Sequence, residues 1–238
     1  WVQPEVAKTT RICTYDRAGM GWSELSPEPR TAREYAKELH TLLVKANEPG
    51  PYVLVGHSMG GFTVIVYAHD YPADVSGLVL VDTQDLPKSD GATPKPAPKP
   101  GGASLPSLLA RIGVVRLLAG PLGAIQDLPE GDKQAYTAYV VALRSVKTFT
   151  DEGKGMSEGG AQARAVTSLG ALPVIVLSRG EDQDAKHTAA QADLLQLSTN
   201  SQQFFADQSG HTIHIDQPEA AVAAIVKMVE LVRQSTKK

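Results

Sequence analysis

Hydrophobic and polar positions alternate between two regimes along the first 85 residues. Arg11 to Tyr15 (RICTY) is a short, mostly apolar run that reads as a buried strand, with Cys13 inside it. It enters a glycine-bearing loop, Asp16 to Gly21. Thr31-x-x-Glu34 has the form of a helix capping box, and Tyr35, Leu39, Leu42 and Leu43 follow at helical spacing. Asn47 to Pro51 (NEPGP) ends that helix. Tyr52 to Val55 is a continuous apolar run, as expected of a parallel strand buried on both faces. A turn at 56–61 leads to a helical pattern from Phe62 to Asp70, and Leu78 to Val81 is another buried strand ending at Asp82.

The pattern then changes. Residues 87–104 are rich in Pro, Lys, Gly and Ala and read as a mobile linker. Residues 105–120 and 130–148 read as helices, and 150–165 is polar and glycine-rich. Strand spacing returns at Pro173 to Leu177, followed by a helix near 185–197 and a last strand at Gln203 to Ala206. A final helix opens at Pro218, with Val222, Ile225, Val226, Val229 and Val232 on its apolar face. Strands alternating with helices predict an α/β fold, a mostly parallel sheet flanked by helices. The expected organisation is a core made of 1–85 and 166–238, with a helical cap insertion at 86–165.

Composition adds limits. Of 238 residues, 42% are apolar and 21% charged, enough for one sizeable core. A net charge of −3 gives no basic footprint for nucleic acid. A single cysteine excludes an internal disulfide and a multi-cysteine metal site. No apolar run approaches the roughly 18 residues of a transmembrane helix. No metal or cofactor is called for. The oligomeric state stays open, as does the compartment, where the cytoplasm is favoured.

Chemistry concentrates in Gly56-x-Ser58-x-Gly60, between a strand and a helix. A nucleophilic serine needs an exposed hydroxyl on a tight turn, and the flanking glycines let strand and helix approach. At the helix N-terminus the amide of Met59 is placed to stabilise an oxyanion. Serine also needs a base. His40 and His69 fall in helical patterns, His57 sits beside the nucleophile, and His187 lies in a polar, solvated stretch. His211 follows the last strand, at the sheet edge where open α/β folds bind ligands; His214 is the rival base. A triad acid in the order serine, acid, histidine could be Asp82, Asp182 or Asp184. Each could instead cap a turn or helix.

Tyr15-Asp16-Arg17-Ala18-Gly19-x-Gly21-Trp22-Ser23, Gly56-His57-Ser58-Met59-Gly60-Gly61, Leu78 to Asp82 and Ser209-Gly210-His211-x-x-His214-x-Asp216-Gln217-Pro218 together resemble the α/β-hydrolase superfamily, nearest to bacterial single-domain esterases and peroxidase-like hydrolases. The resemblance implies Ser58 as nucleophile, His211 as base and Asp182 as acid. The usual G-x-x-D spacing puts Gln183 at the acid's place, and some relatives carry the acid where Asp82 stands. It also implies a strand and an HG-type loop ahead of the segment at Trp1, supplying a second oxyanion donor; residues 1–10 do not fit them. The implied reaction is cleavage of an ester, thioester or lactone in a small-molecule acyl substrate. A serine at the elbow, rather than aspartate, argues against dehalogenase or epoxide hydrolase chemistry. The alternative is a noncatalytic ligand-binding or signalling protein on the same scaffold.

Overall fold

A computed structural model describes residues 1–86, 95–101, 104–115, 117 and 130–235. Its centre is a four-stranded, fully parallel sheet in the order β1 (Tyr52–His57), β2 (Val75–Val81), β3 (Val174–Arg179), β4 (Ser201–Ala206). Alternation along the two central strands splits the core into two layers. Leu78, Leu80, Val174 and Val176 face one side, joined by Phe62, Ile65 and Val66 of α3 (Met59–Asp70) and by Ala36 and Leu39 of α2 (Ala32–Lys45). Val79, Val81, Ile175 and Leu177 face the other, where Ile225 and Met228 of α9 (Pro218–Ser235) and Val6 of α1 (Val2–Ala7) cover them. Each such side chain, fully buried, contributes about 1.5–3 kcal/mol.

Helix α2 begins where the capping pattern places it: the Thr31 hydroxyl accepts from the amide of Glu34 at 3.5 Å. Two expectations about strands need correction. Residues 11–15 form no strand, and Cys13 is exposed. They lack a neighbour to complete their hydrogen bonds, because β1 pairs only with β2 and is an edge of the described sheet. For the same reason β1 is not buried on both faces: Val55 is 41% exposed.

The helical cap insertion contains α4 (Leu105–Arg111), α5 (Glu130–Val141) and α6 (Leu143–Arg164). The glycine-rich stretch at 150–165 continues α6 almost to its end. Gly155 explains why: a Cβ there would lie 2.1 Å from the carbonyl oxygen of Arg30. The missing side chain lets α6 press against the start of α2, and this packing offsets the low helix propensity of glycine. The core loop seen as Asp16-Arg17-Ala18-Gly19 ties to the same helix. Arg17 donates to Glu152 at 2.8 Å, and the buried Tyr35 hydroxyl donates to the same carboxylate oxygen at 2.6 Å. Of the expected linker, residues 87–94 and 102–103 lie outside the described residues. Ala97 within it is buried, and its amide donates to the Glu158 carboxylate, so this part is packed rather than loose. Residues 116 and 118–120 of the expected helix at 105–120 also lie outside the description. The helix expected near 185–197 is α7 (Ala185–Leu194), ahead of β4, and the helix expected from Pro218 is α9, entered through the short α8 (Ile213–Asp216). Among the described residues no helix is long and apolar enough to cross a membrane.

Candidate active site

The site grows from one register. His57 at the end of β1 pairs with Val81 at the end of β2, so Ser58 and Asp82 leave adjacent strands side by side. The amide of Ser58 donates to the Val81 carbonyl at 3.1 Å, and the amide of Gln84 donates back to the Ser58 carbonyl at 3.3 Å. Ser58 is held at φ 54° and ψ −124°, a conformation that costs a non-glycine residue of order 1–3 kcal/mol. Two glycines of the turn leave no room for a side chain, while Gly60 faces open space. A Cβ on Gly56 would lie 2.5 Å from the Gly60 carbonyl oxygen, and one on Gly61 would lie 2.2 Å from the Thr83 hydroxyl. Helix α3 starts immediately after, with Met59 as its first residue, and the Gly61 amide donates back to the Ser58 carbonyl at 3.0 Å.

The Ser58 hydroxyl and His211 Nε2 are 2.9 Å apart. On its other side His211 Nδ1 donates to Asp82 Oδ2 at 2.5 Å. A serine, an imidazole and a carboxylate thus stand in one hydrogen-bonded line, in the chain order Ser58, Asp82, His211. The structure thus brings Asp82, and not the preferred Asp182, against His211. Asp182 is exposed, in a left-handed turn at φ 52°, and its backbone carbonyl accepts from Arg179 at 3.1 Å. Asp184 does the capping work weighed for it, accepting from the His187 amide at 2.7 Å at the start of α7.

Asp82 is buried, which by itself pushes its carboxyl upward. The hydrogen bond from His211, the Arg179 amide, and the nearby His187 and Arg179 side chains outweigh that, and it ends below the ordinary carboxylate range. His187 was expected in solvent; it is instead buried, with Nε2 3.0 Å from Asp82 Oδ1.

Two further histidines frame His211. His57 Nε2 donates to the His211 carbonyl at 2.7 Å, and its ring lies 4.7 Å from that of His211. Burial, with smaller opposing and reinforcing effects from its neighbours, pushes His57 down to about 4. It is therefore neutral at pH 7 and fixes the backbone that carries the base. Sequence reading set His57 aside; its signal was only its position inside the turn. His214 meets the His57 ring edge-on at 4.6 Å, its Nδ1 is buried without a hydrogen-bond partner, and burial lowers its pKa. It is not brought to Ser58.

Beside these rings opens a cleft of about 550 Å³, lined by Trp1, Val2, His57, Tyr136 of the insertion, Thr212 and His214, with no acidic or basic aliphatic side chain in its wall. Among the described residues no group of three or more His, Cys, Asp or Glu could hold a metal ion.

Comparison with known proteins fits this geometry. A Bacillus subtilis protein, the uncharacterized protein YqjL, is 30% identical over 220 residues, which span 90% of this chain and 71% of that protein. Among solved structures, the epoxide hydrolase CorEH superposes with a TM-score of 0.73 at 17% identity, covering 97% of this chain and 86% of that one. A thermophilic esterase from Thermogutta terrifontis superposes with a TM-score of 0.64 at 21% identity, covering 91% and 78%. At these identities the two structures show a shared fold. The model of the alpha/beta hydrolase family matches residues 1–225, and the chain, with its parallel sheet, helical cap insertion and turn at Ser58, belongs to that family.

Proposed function

We propose that this chain is a serine hydrolase of the carboxylesterase type, cleaving an ester or related acyl bond through an acyl-enzyme on Ser58. The observation that carries this reading is the line from the Ser58 hydroxyl through His211 to the buried Asp82, with spacings of 2.9 and 2.5 Å.

In this reading Ser58 Oγ attacks the acyl carbon while its proton passes to His211 Nε2. Asp82 holds the His211 tautomer and stabilises the imidazolium. The carbonyl oxygen becomes an oxyanion facing the Met59 amide, at the positive end of α3. His211 then gives its proton to the departing alcohol or thiol, and the tetrahedral intermediate collapses to an acyl-serine. Water, deprotonated by His211, attacks that ester, and the acid leaves as Ser58 recovers its proton. An aspartate nucleophile is the group that epoxide ring opening on this fold would require; serine here supports acyl transfer instead. Residues 86–165 would serve as the lid of the site, through which Tyr136 reaches the cleft.

The test is labelling with a fluorophosphonate, together with hydrolysis of p-nitrophenyl esters of graded chain length. Wild-type protein should be labelled at Ser58 and hydrolyse the esters; Ser58→Ala should do neither while keeping its circular dichroism spectrum. Hydrolysis by Ser58→Ala at the wild-type rate would remove Ser58 from the chemistry. A folded wild type inert to both probes would favour a ligand-binding role.

A further inference from the structure

Asp82 faces more donors than a triad carboxylate needs. Its Oδ2 is shared between His211 Nδ1 at 2.5 Å and Arg179 Nη1 at 3.2 Å. Its Oδ1 takes the backbone amide of Arg179 at 3.3 Å and has His187 Nε2 at 3.0 Å, where no aligned hydrogen bond forms. Arg179 reaches further. Its Nη2 donates to the Asp182 carbonyl at 3.1 Å, so one guanidinium ties the end of β2 to the turn after β3. That turn carries the rival acid, whose backbone sits in the left-handed region. The Asp82 side chain is fully buried, and that of Arg179 is 20% exposed. The pair is therefore only weakly screened by solvent.

We propose that Arg179 is a positioning residue of the Ser58–His211–Asp82 line: it neutralises Asp82, weakens the pull of that carboxylate on a proton at His211, and ties Asp82 to the turn of Asp182. The inference rests on the serine hydrolase reading for its consequence in turnover, though not for its electrostatics. A bare carboxylate next to His211 would stabilise the imidazolium strongly. A carboxylate already paired with a guanidinium presents a smaller field to the imidazole beside it. Other charged or titratable groups surround the pair. From β1 there is His57; from α7, His187 with Asp85 3.7 Å behind it; from α8, His214 and Asp216; and, after β3, the Asp182 turn. Among the described residues, Arg179 is the always-charged cation paired with Asp82.

The experiment follows His211 itself. Protein carrying ¹³C-labelled histidine is titrated by NMR, with the His211 signal assigned from His211→Gln, and kcat for p-nitrophenyl acetate is measured across the same pH range. Arg179→Met should move the His211 midpoint and the acid limb of kcat to higher pH together, with KM little changed. Arg179→Lys, which keeps the charge, should leave both near wild type. Where Arg179→Met does not fold, Arg179→Gln serves the same arm. A folded neutral variant whose His211 midpoint stays put overturns the proposal, whatever its rate. So does a shift produced by His187→Gln and not by the Arg179 variants, which would assign the role to His187. If the midpoint moves but the wild type takes no fluorophosphonate at Ser58, the electrostatic role of Arg179 stands and the hydrolase reading fails.

Discussion

Asp82 and Asp182 occupy equivalent places on neighbouring strands. Asp82 follows β2 and Asp182 comes shortly after β3, and both have left-handed backbones, at φ 38° and 52°. Yet one is 1% exposed and bonded to His211 and Arg179, while the other lies in solvent and offers Arg179 only its carbonyl. The difference is one of register. The residue after Val81 emerges beside Ser58 because β2 pairs directly with β1. The turn after β3 stands one strand further out. Two aspartates of the same type, in similar backbone geometry, are thus separated by the strand that carries them.

The comparison breaks most sharply in turnover. Asp82→Asn should lower ester hydrolysis by about 10⁴-fold through loss of the His211 tautomer, while Asp182→Asn should stay within a few-fold of wild type. Stopped assays of the two variants side by side decide it; equal losses would mean that position along the sheet does not select the acid. Asparagine tolerates the left-handed backbone at both sites, so the substitutions keep the side-chain shape while removing the charge and turning one acceptor oxygen into an amide donor.

Stability gives the next largest contrast. Asp82→Ala leaves Arg179 and the half-buried His211 ring without their shared acceptor and should cost about 3 kcal/mol in urea unfolding. Asp182→Ala removes an exposed carboxylate and should cost about 1 kcal/mol, mainly from the strained φ. Between these lies the turn that brings Ser58 to Asp82. Gly61→Ala drives a methyl group into Thr83 and should cost about 1–3 kcal/mol, with a loss of activity from the displaced elbow.

The last contrast is in pH dependence. The His57 pKa is lowered to about 4, so between that value and its ordinary 6.5 the unfolded chain binds a proton that the folded chain does not. Stability should therefore fall as pH falls through this window, with a slope of up to about 1.4 kcal/mol per pH unit. Asp82 adds its own loss only lower, as pH drops from the ordinary carboxylate range through its depressed value. His57→Gln should reduce the slope of the upper part of the curve, to which His214 also contributes, and leave the lower part unchanged, as thermal unfolding between pH 2 and 7 would read.

Local pattern carried much of this molecule. The apolar runs at Leu78 to Val81 and Pro173 to Leu177 became the two central strands, because a strand buried between two helical layers needs apolar residues at every position, whereas the outer strands β1 and β4 carry exposed positions such as Val55 and Phe205. The Thr31 cap, the proline at the start of α9 and the turn at Ser58 were equally legible, since each is set by residues within a few positions of one another. Arg11 to Tyr15 misled for the opposite reason. Its residues favour a strand, but a strand exists only through hydrogen bonds to a neighbour, and the described sheet gives this segment none. The glycine-rich stretch at 150–165 also hid its nature, because what keeps it helical is contact with Arg30 and Ala32, more than a hundred residues away.

The same division runs through the candidate site. The sequence alone determined a strand, a tight turn and a helix around Ser58, and a histidine after the last strand, because those features depend on steric rules of short range. Only the tertiary structure decided that Asp82 meets His211, that His57 holds the His211 backbone, that His187 is buried, and that Arg179 clasps both aspartate turns. Those outcomes depend on which strand ends lie side by side. Strand order and register are fixed by packing the whole sheet between its helices, and no short stretch of sequence contains them.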